Sequence, residues 1–454
     1  MKKNTEQRKQ RVVEIDAFEQ INFNAAGLDI GADEIYVAVP KGRNEKSVRS
    51  FLTFTADLHQ LANWLEDCEI ETVAMESTGS YWVPIYEILE SRGLEVYLVN
   101  ARHIKNVSGR KTDVLDCQWI QQLHTYGLLR PSFRPSEQIC AIRSLVRHRD
   151  MLIRYRSAHI QHMQKALNLM NLKLTNVLSD ITGVTGMKII RAIVAGEHNP
   201  EVLASYRNRQ CKHNEAEIAK SLEGHYKREH LFELKQALEL YDFYDEQLAA
   251  CDAELEALYN EIETPDKPGT KPPQLRRSKR RKNQPHFDLS QSLYRMTGVD
   301  LTEVDGLDAL TVQDILSEIG TDISAWPTEK HFASWLRLSP NNKVTGGKVK
   351  RRGTKPTQNR ASNAFRLAAQ SLARSNSALG AFYRRIRAKH GAPKAITATA
   401  HKLARIVYFM LKYRQPYRDP GAYYYDEQYR ARTIRNLRRK ASKLGMRLEP
   451  VGVT

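Results

Sequence analysis

Four acidic residues stand in positions that suit metal-dependent chemistry. Asp29 lies inside the apolar run of LDIG, and Glu76 ends an apolar run in VAMESTGSYW. Asp113 and Asp116 are three residues apart at the predicted start of a helix in GRKTDVLDCQWI, so both carboxylates would project from one face. A buried carboxylate is costly without a positive partner, and Mg²⁺ or Mn²⁺ takes carboxylate oxygens as ligands. The four residues are therefore candidate metal ligands and catalytic residues.

Each acid also has an ordinary interpretation, because a single aspartate at a helix start is more often a cap or a surface charge. The set is more informative than its members. Divalent metals stabilise the attacking and leaving oxygens in phosphodiester chemistry, and they need several carboxylates to hold them. The pattern therefore predicts a metal site for work on a nucleic-acid backbone.

The charge of the chain favours the same class of partner. Lysine and arginine total 70 against 52 acidic residues in a chain of 454, which gives a formal net charge of +18. A surface charged for solubility is the alternative, but it needs a net charge of only roughly 2 to 8 in a small domain. A polyanion such as nucleic acid is therefore the expected partner.

The cysteines and the apolar content indicate a protein of the cytoplasm. The five cysteines are far apart and form no CxxC pair, so neither a zinc site nor a disulfide framework is predicted. The start of the chain, MKKNTEQRKQRVVEID, lacks the apolar segment of a signal peptide. No apolar run approaches the roughly 20 residues that span a bilayer. We expect a cytoplasmic location and no membrane partner.

The acidic residues are placed by an alternation of strands and helices. Residues 25–40 read as β-structure, and ETVAMES and LEVYLVN are two further strand-like runs. The segments QLANWLEDC and WVPIYEILESRG read as amphipathic helices, the second closed by Gly93. The first part of the chain is thus predicted to be an α/β domain.

The middle of the chain is predicted to form long helices. A basic helix is expected from Ser144 to about Leu174, and a second helical stretch from about Asn214 to Glu263. The second carries a heptad seam, which can pack within one chain or between two, with dimerisation preferred. The seam consists of Leu234, Ala237, Tyr241, Tyr244, Leu248, Cys251, Leu255, Leu258 and Ile262. A basic, proline-rich linker should follow.

The last third reads as mostly helical and basic. Residues 301–320 resemble a helix-hairpin-helix element whose turn amides can hold a phosphate. Four residues at helical spacing are predicted core residues: Leu367, Leu372, Leu403 and Ile406. His401 could be catalytic, but a packed or capping histidine is the preferred interpretation.

The order of a strand acid, a strand-end acid and a helical acid pair is that of the RNase H-like nuclease fold. The motifs LDIGAD, AMESTGSYW and VNARHIKNVSGRKTDVLDCQW resemble the RuvC-type DEDD domain of the IS110-family transposases. The stretch FASWLRLSPNNKVTGGKVKRRG, with the helical region after it, resembles the C-terminal transposase domain of that family. The resemblance implies that the four acids bind metal, with Arg110 and Lys111 beside them to neutralise a phosphate.

The resemblance also divides the chain into five parts. Residues 22–143 would be the RuvC/RNase H-like DEDD domain and residues 144–263 a long-helix, coiled-coil region. A basic linker would occupy residues 264–288, a mostly α-helical C-terminal transposase domain residues 289–415, and a basic tail residues 416–454.

The family places a serine nucleophile in a turn that commonly reads SGG, whereas this chain reads Thr345, Gly346, Gly347 and Lys348. Threonine carries the same hydroxyl, although its methyl group crowds the approach to phosphorus. Ser339 is the nearest substitute. The two glycines would allow close approach of the backbone to DNA, and phosphate contacts are predicted for Lys348, Arg351 and Arg352, with Arg360 and Arg366 as further candidates.

By this resemblance the chain would be a recombinase of an insertion sequence that breaks and rejoins double-stranded donor and target DNA. The family implies a site shared between subunits of a dimer or tetramer, and a structured noncoding RNA, the bridge RNA, that selects the DNA. Three alternatives stay open: a Holliday-junction nuclease that uses only the acids, an actin-like ATPase or sugar kinase, and a nucleic-acid binder without catalysis.

Overall fold

The chain forms two compact units, Met1–Arg134 and Pro135–Thr454. The computed structural model describes residues 19–77, 79–100, 113–262, 283–346, 348–351, 353–354, 356 and 359–449. Within this set the backbone alone is described for Asp113, Lys343, Val344, Val349 and Arg351.

The first unit is built on a mixed five-stranded sheet of order β3-β2-β1-β4-β5. The strands are β1 Ala25–Ile30, β2 Glu34–Ala38, β3 Val48–Leu52, β4 Thr72–Glu76 and β5 Glu95–Val99. The first three pair antiparallel, while β4 pairs parallel with both β1 and β5. The run at 25–40 is therefore a hairpin that turns at Gly31, whose N–H donates to the Glu34 carbonyl (3.0 Å). The sequence did not reveal β3.

In the described part of this unit, three helices cover the sheet: α1 Thr55–Asp67, α2 Trp82–Ser91 and α3 Asp113–Thr125. Leu28, Val73 and Met75 join a large core with residues of α1 and α2. Ala74 belongs instead to a smaller core with Ile120 of α3. Because side chains alternate along a strand, α3 lies on the face opposite α1 and α2. Helix α2 ends before Gly93, which has a left-handed φ of +83° as its predicted capping role requires.

The second unit begins with two long helices, α4 Glu137–Leu169 and α9 Arg228–Glu261, which pack antiparallel. Between them lie α5 Leu174–Val177, α6 Val184–Val194, α7 Pro200–Ser205 and α8 Glu215–Ser221. The residues of the heptad seam are buried or half-buried, so the seam is used within the chain. Pairing between two chains stays untested. The predicted single helix from Asn214 is two helices, α8 and α9, and α4 begins seven residues before Ser144.

The rest of the second unit is mostly helical. Its helices are α10 Leu289–Thr297, α11 Ala309–Ile319, α12 Glu329–Trp335, α13 Arg360–Ser371, α14 Ala378–His390, α15 Ala392–Tyr413 and α16 Gly421–Lys443. A short antiparallel hairpin, β6 Lys343–Thr345 and β7 Lys348–Arg351, precedes α13. The first arm of the predicted helix-hairpin-helix element is a single 3₁₀ turn, Leu301–Glu303. Leu367 was wrongly predicted as core: it is 68% exposed, because α13 turns Phe365 and Ala368 inward.

A buried ion pair ties α4 to α9. The guanidinium of Arg149 binds both carboxylate oxygens of Asp252, and the two side chains are 6% and 1% exposed. Arg149 also donates from Nη1 to the carbonyl of Asn283 (2.9 Å), and the N–H of His286 donates to Asp252 Oδ2 (3.0 Å). The ion pair therefore also anchors residues 283–286 against the two long helices.

Replacing Asp252 by alanine should lower the free energy of unfolding of the second unit by about 3 to 5 kcal/mol, because the charge of Arg149 would stay buried without its partner. Urea unfolding followed by circular dichroism measures this change. Asp245→Ala is the matched control, since Asp245 pairs with Arg156 but is 49% exposed, and it should cost less than about 1 kcal/mol. Equal losses in the two variants would contradict the assignment.

Candidate functional site

Two of the predicted metal ligands lie at the ends of adjacent parallel strands, Glu76 as the last residue of β4 and Asp29 as the last but one of β1. The β1–β4 ladder pairs Leu28 with Met75, so Asp29 and Glu76 are the next residues on their strands. Both lie on the sheet face that α3 covers, because their neighbours Leu28 and Met75 point into the opposite core. Both side chains are half-buried. The strand ends thus bring two carboxylates to one edge of the sheet.

Gly27 lets the helix α3 lie directly on β1. A Cβ atom at Gly27 would stand 2.2 Å from the backbone N of Gln121 and 2.4 Å from the backbone O of Cys117. No other residue than glycine fits this approach without displacing the helix. The close packing carries Asp116, the residue before Cys117, toward the strand that bears Asp29.

The buried thiol of Cys117 lies close enough to Asp29 and Asp116 to feel the charges of both carboxylates. Burial raises its pKa to about 12, and the negative charges of Asp29 and Asp116 both add to the increase. The thiol donates to the carbonyl of Val114 (3.2 Å) and is fully buried. It stays protonated at neutral pH, so the oxygen donors are the groups suited to a metal. No sequence pattern singles out this cysteine, although it adjoins Asp116.

The donor set fits a hard divalent cation. Asp29, Glu76 and Asp116 all offer carboxylate oxygens, the ligands that Mg²⁺ and Mn²⁺ prefer. Asp113 begins α3 three residues before Asp116, but its side chain lies outside the described part. Among the residues that the structure describes, no group of three or more His, Cys, Asp or Glu side chains is close enough to hold a metal. Arg110 and Lys111 also lie outside the described residues.

The predicted nucleophile ends a β-strand in the second unit. Thr345 is the last residue of β6, is exposed, and pairs with the exposed Lys348 of β7. Gly346, in the turn, has a φ of +57° and open space where a Cβ would be. The glycine turn therefore joins two strands rather than two helices. Gly347 and Arg352 lie outside the described residues, and Arg351 is described only by its backbone at the end of β7.

Other candidates of the second unit have internal roles. Arg360 forms an ion pair with Asp150 of α4, which neutralises the charge expected to meet a phosphate. Burial lowers the pKa of Arg366 and that of His401. Ser339, the substitute nucleophile, is half-buried just after the core residue Leu338. Thr345 is thus the more accessible hydroxyl of the two.

Two protein-family models match parts of this chain. The DEDD transposase model of the IS110 family matches residues 26–172, and the transposase model of the IS116/IS110/IS902 family matches residues 300–384. The chain belongs to the IS110 family of transposases. No curated protein matches the chain.

The two matched regions contain both candidate groups of this IS110-family transposase. All four acids lie in the first region and the hairpin of Thr345 lies in the second. Membership implies a DNA substrate and dependence on a divalent metal. It gives no support to the ATPase or sugar kinase alternative. No helix in the described part of the transposase is long and apolar enough to cross a membrane.

A buried histidine of the transposase helps hold α3 on the sheet. Thr72 of β4 donates to the carbonyl of Glu95 (3.0 Å), so its hydroxyl accepts from Nε2 of His124 (2.8 Å). Nδ1 of His124 has no hydrogen-bond partner among the described residues. Burial lowers the pKa of His124 to about 4, because the imidazolium would be buried without compensation.

This histidine should make the first unit less stable in acid. The unfolded state binds a proton below about pH 6.5, whereas the folded state resists protonation until about pH 4. Stability is thus complete above pH 6.5 and falls as the pH drops between those values. From pH 7 to pH 5 the chain should lose about 2 kcal/mol more than His124→Gln, which keeps a donor to Thr72 but does not titrate. Urea unfolding at both pH values measures this, and equal losses would contradict the assignment.

Proposed function

We propose that this transposase breaks and rejoins DNA strands with two groups, an acidic metal site and the hydroxyl of Thr345. The observation that carries the proposal is the strand register of the first unit. Asp29 and Glu76 lie at the ends of adjacent parallel strands, on the face against which the helix bearing Asp116 packs. The mixed sheet with helices on both faces is compatible with an RNase H-like, RuvC-like domain.

The acidic site is proposed to hold Mg²⁺ or Mn²⁺ with Asp29, Glu76, Asp113 and Asp116. Such a cation, when bound, stabilises the negative charge that builds on the phosphate oxygens during strand transfer. The carboxylates would hold the cation at the sheet edge, and Arg110 and Lys111 are proposed to neutralise the neighbouring phosphate. The packing of α3 on β1 keeps the carboxylates in place.

Thr345 is proposed to act as the nucleophile. Its hydroxyl gives up its proton, its oxygen bonds to phosphorus, and the bond from phosphorus to one sugar oxygen breaks. The released sugar oxygen takes a proton. In rejoining, a sugar hydroxyl of the other strand attacks the phosphothreonine and returns Thr345 to its free form. Gly346 leaves room for the backbone of DNA, and phosphate contacts are proposed for Gly347, Lys348, Arg351 and Arg352.

The assembly around these groups is also a proposal. The family relation supports a site shared between the subunits of a dimer or tetramer, with donor and target DNA selected by a structured noncoding RNA. The net charge of +18 suits such partners. The turn after residues 301–303 could bind a DNA phosphate. We also propose the division of the chain into five parts and a coiled-coil role for the two long helices. The five free cysteines accord with the reducing cytoplasm.

A search for a covalent product tests the nucleophile. Purified protein, Mg²⁺, the noncoding RNA flanking the gene and labelled double-stranded DNA are incubated and separated on a denaturing gel. We expect protein-linked DNA, which Thr345→Ala should abolish because it removes the attacking oxygen. Thr345→Ser should keep the adduct, since serine has the same hydroxyl and less steric crowding. Ser339→Ala is the matched control and should leave the adduct unchanged.

The same gel separates the remaining alternatives. Free cleaved DNA that persists in Thr345→Ala would indicate a metal nuclease that uses water. Loss of the adduct in Ser339→Ala, but not in Thr345→Ala, would move the nucleophile to Ser339. No cleavage in any metal or RNA condition would favour a nucleic-acid binder without catalysis.

A further inference from the structure

The last described helix, α16, is anchored along only part of its length. Phe382 and Arg385 of α14 contact Tyr425 and Tyr429 of α16, with ring centroids of Phe382 and Tyr425 6.1 Å apart. The guanidinium carbon of Arg385 lies 4.0 Å from the ring centre of Tyr429. Lys402 of α15 adds a contact to the Tyr425 ring at 5.7 Å. These cation–π and aromatic contacts hold residues 425–429, in the second and third turns of α16.

The rest of α16 continues past the helix that anchors it. The contact positions increase along both helices, from Phe382 with Tyr425 to Arg385 with Tyr429. Helices α14 and α16 therefore run in the same direction. Helix α14 ends at His390, five residues after Arg385, whereas α16 continues 14 residues beyond Tyr429, to Lys443. No residue of α16 is buried. Residues 430–443, about 20 Å of helix, form what we call the basic arm.

The basic arm has an unbalanced charge. Between Glu427 and Glu449 the sequence contains no acidic residue. The same segment contains eight exposed basic residues: Arg430, Arg432, Arg435, Arg438, Arg439, Lys440, Lys443 and Arg447. Like charges three or four residues apart repel on a helix, as in Arg435 with Arg439 and Arg439 with Lys443. A polyanion lying along the arm would remove this repulsion.

The faces of the arm differ in a way that favours a phosphate backbone. At 100° per residue, Arg432, Arg435 and Arg439 fall on one side, while Arg430 and Arg438 interrupt the opposite side, which carries Ile434 and Leu437. These two apolar side chains are only 37% and 46% exposed, which offers little area for insertion into a lipid surface. The charge, in contrast, runs the length of the arm, as a phosphate backbone requires.

We propose that the basic arm binds the phosphate backbone of double-stranded DNA outside the reacting site. The arm lies beyond both regions that match the family models, residues 26–172 and 300–384. The proposal rests on the DNA substrate of the transposase and not on the nucleophile or the metal ligands. The arm contributes affinity without sequence preference, because its contacts are charges on phosphates.

The salt dependence of DNA binding tests the arm. The full-length variant carries Arg435→Gln, Arg438→Gln, Arg439→Gln and Lys440→Gln. The control carries Lys188→Gln, Arg209→Gln, Lys212→Gln and Lys220→Gln, four exposed positions elsewhere in the second unit that lower the net charge equally. Fluorescence anisotropy measures Kd for duplex DNA between about 0.05 and 0.3 M KCl. The slope of log K against log salt should decrease in magnitude by about three to four in the arm variant and by less than about one in the control.

Additional variants and ligands identify the partner of the basic arm. A variant with Arg435→Lys, Arg438→Lys and Arg439→Lys should keep the original slope, because charge is what the contact requires. The proposal is overturned if the arm variant and the control lose the same slope. It is also overturned if the arm variant loses binding to phosphatidylserine vesicles or to an RNA hairpin while its DNA slope stays unchanged. Normal strand cleavage by Asp29→Ala would argue against the proposed metal site and leave this slope unaffected.

Discussion

Asp29→Asn should slow DNA strand cleavage by at least about 10³-fold while leaving duplex affinity close to its original value. The substitution keeps the shape of the side chain but removes a negative charge at the point where β1 meets α3. A bound metal supplies several kcal/mol of charge stabilisation in the transition state, and a ligand set without Asp29 holds it poorly. Single-turnover cleavage of labelled DNA in Mg²⁺ measures the rate, and anisotropy measures the affinity.

Asp33→Asn is the matched control for this substitution. Asp33 is an exposed residue of the β1–β2 turn, and its amide would change the net charge by the same amount. Its cleavage rate should stay within about twofold of the original. An unchanged rate in Asp29→Asn would show that this carboxylate does not serve the reaction.

Gly27→Ala should disable the same site by displacing α3 and should also destabilise the first unit. The added methyl group would stand within 2.4 Å of backbone atoms of both Gln121 and Cys117, which cannot rotate away. Helix α3 must shift, at a cost of about 3 kcal/mol or more. Because α3 begins with Asp113 and carries Asp116, a shift of about 1 Å should reduce cleavage by about 10²-fold. Urea unfolding and single-turnover cleavage measure the two effects.

Gly42→Ala separates this effect from the general cost of replacing a glycine. Gly42 has a φ of +92° with open space around its Cα, so alanine there meets backbone strain but no neighbour. It should lose about 1 kcal/mol of stability and keep its cleavage rate. If Gly27→Ala cleaves DNA as fast as Gly42→Ala, the close packing of α3 is not needed for activity.

The candidate acids could be singled out from the sequence because their signals are local. Asp29 and Glu76 stand out against apolar strands, and the spacing of Asp113 and Asp116 needs only helical geometry to place them together. Parallel pairing of β1 with β4 then brings Asp29 beside Glu76. The strands at 72–76 and 95–99 and the end of α2 at Gly93 were predicted for the same reason. Alternating apolar residues indicate a strand and a glycine indicates the end of a helix, and both signals lie within a few consecutive residues.

Features that depend on distant partners could not be predicted. Strand β3 carries polar residues on an edge, and only its pairing with β2 makes it a strand. The charges of Arg149 and Arg360 indicated nucleic acid in the sequence, yet each meets an aspartate far along the chain. Helical spacing placed Leu367 in the core, but the neighbours of α13 decide which side is covered. Contacts between elements override local preference in each case.

Alkylation of the buried thiol of Cys117 can be used to follow local opening of the first unit. With a pKa near 12 and no exposure, the sulfur cannot react with an alkylating reagent while α3 lies on β1. Modification requires the helix to lift, which exposes the thiol and restores its ordinary acidity. The rate at which Cys117 is alkylated therefore depends on how often the helix that carries Asp116 separates from the sheet, and no engineered reporter residue is needed.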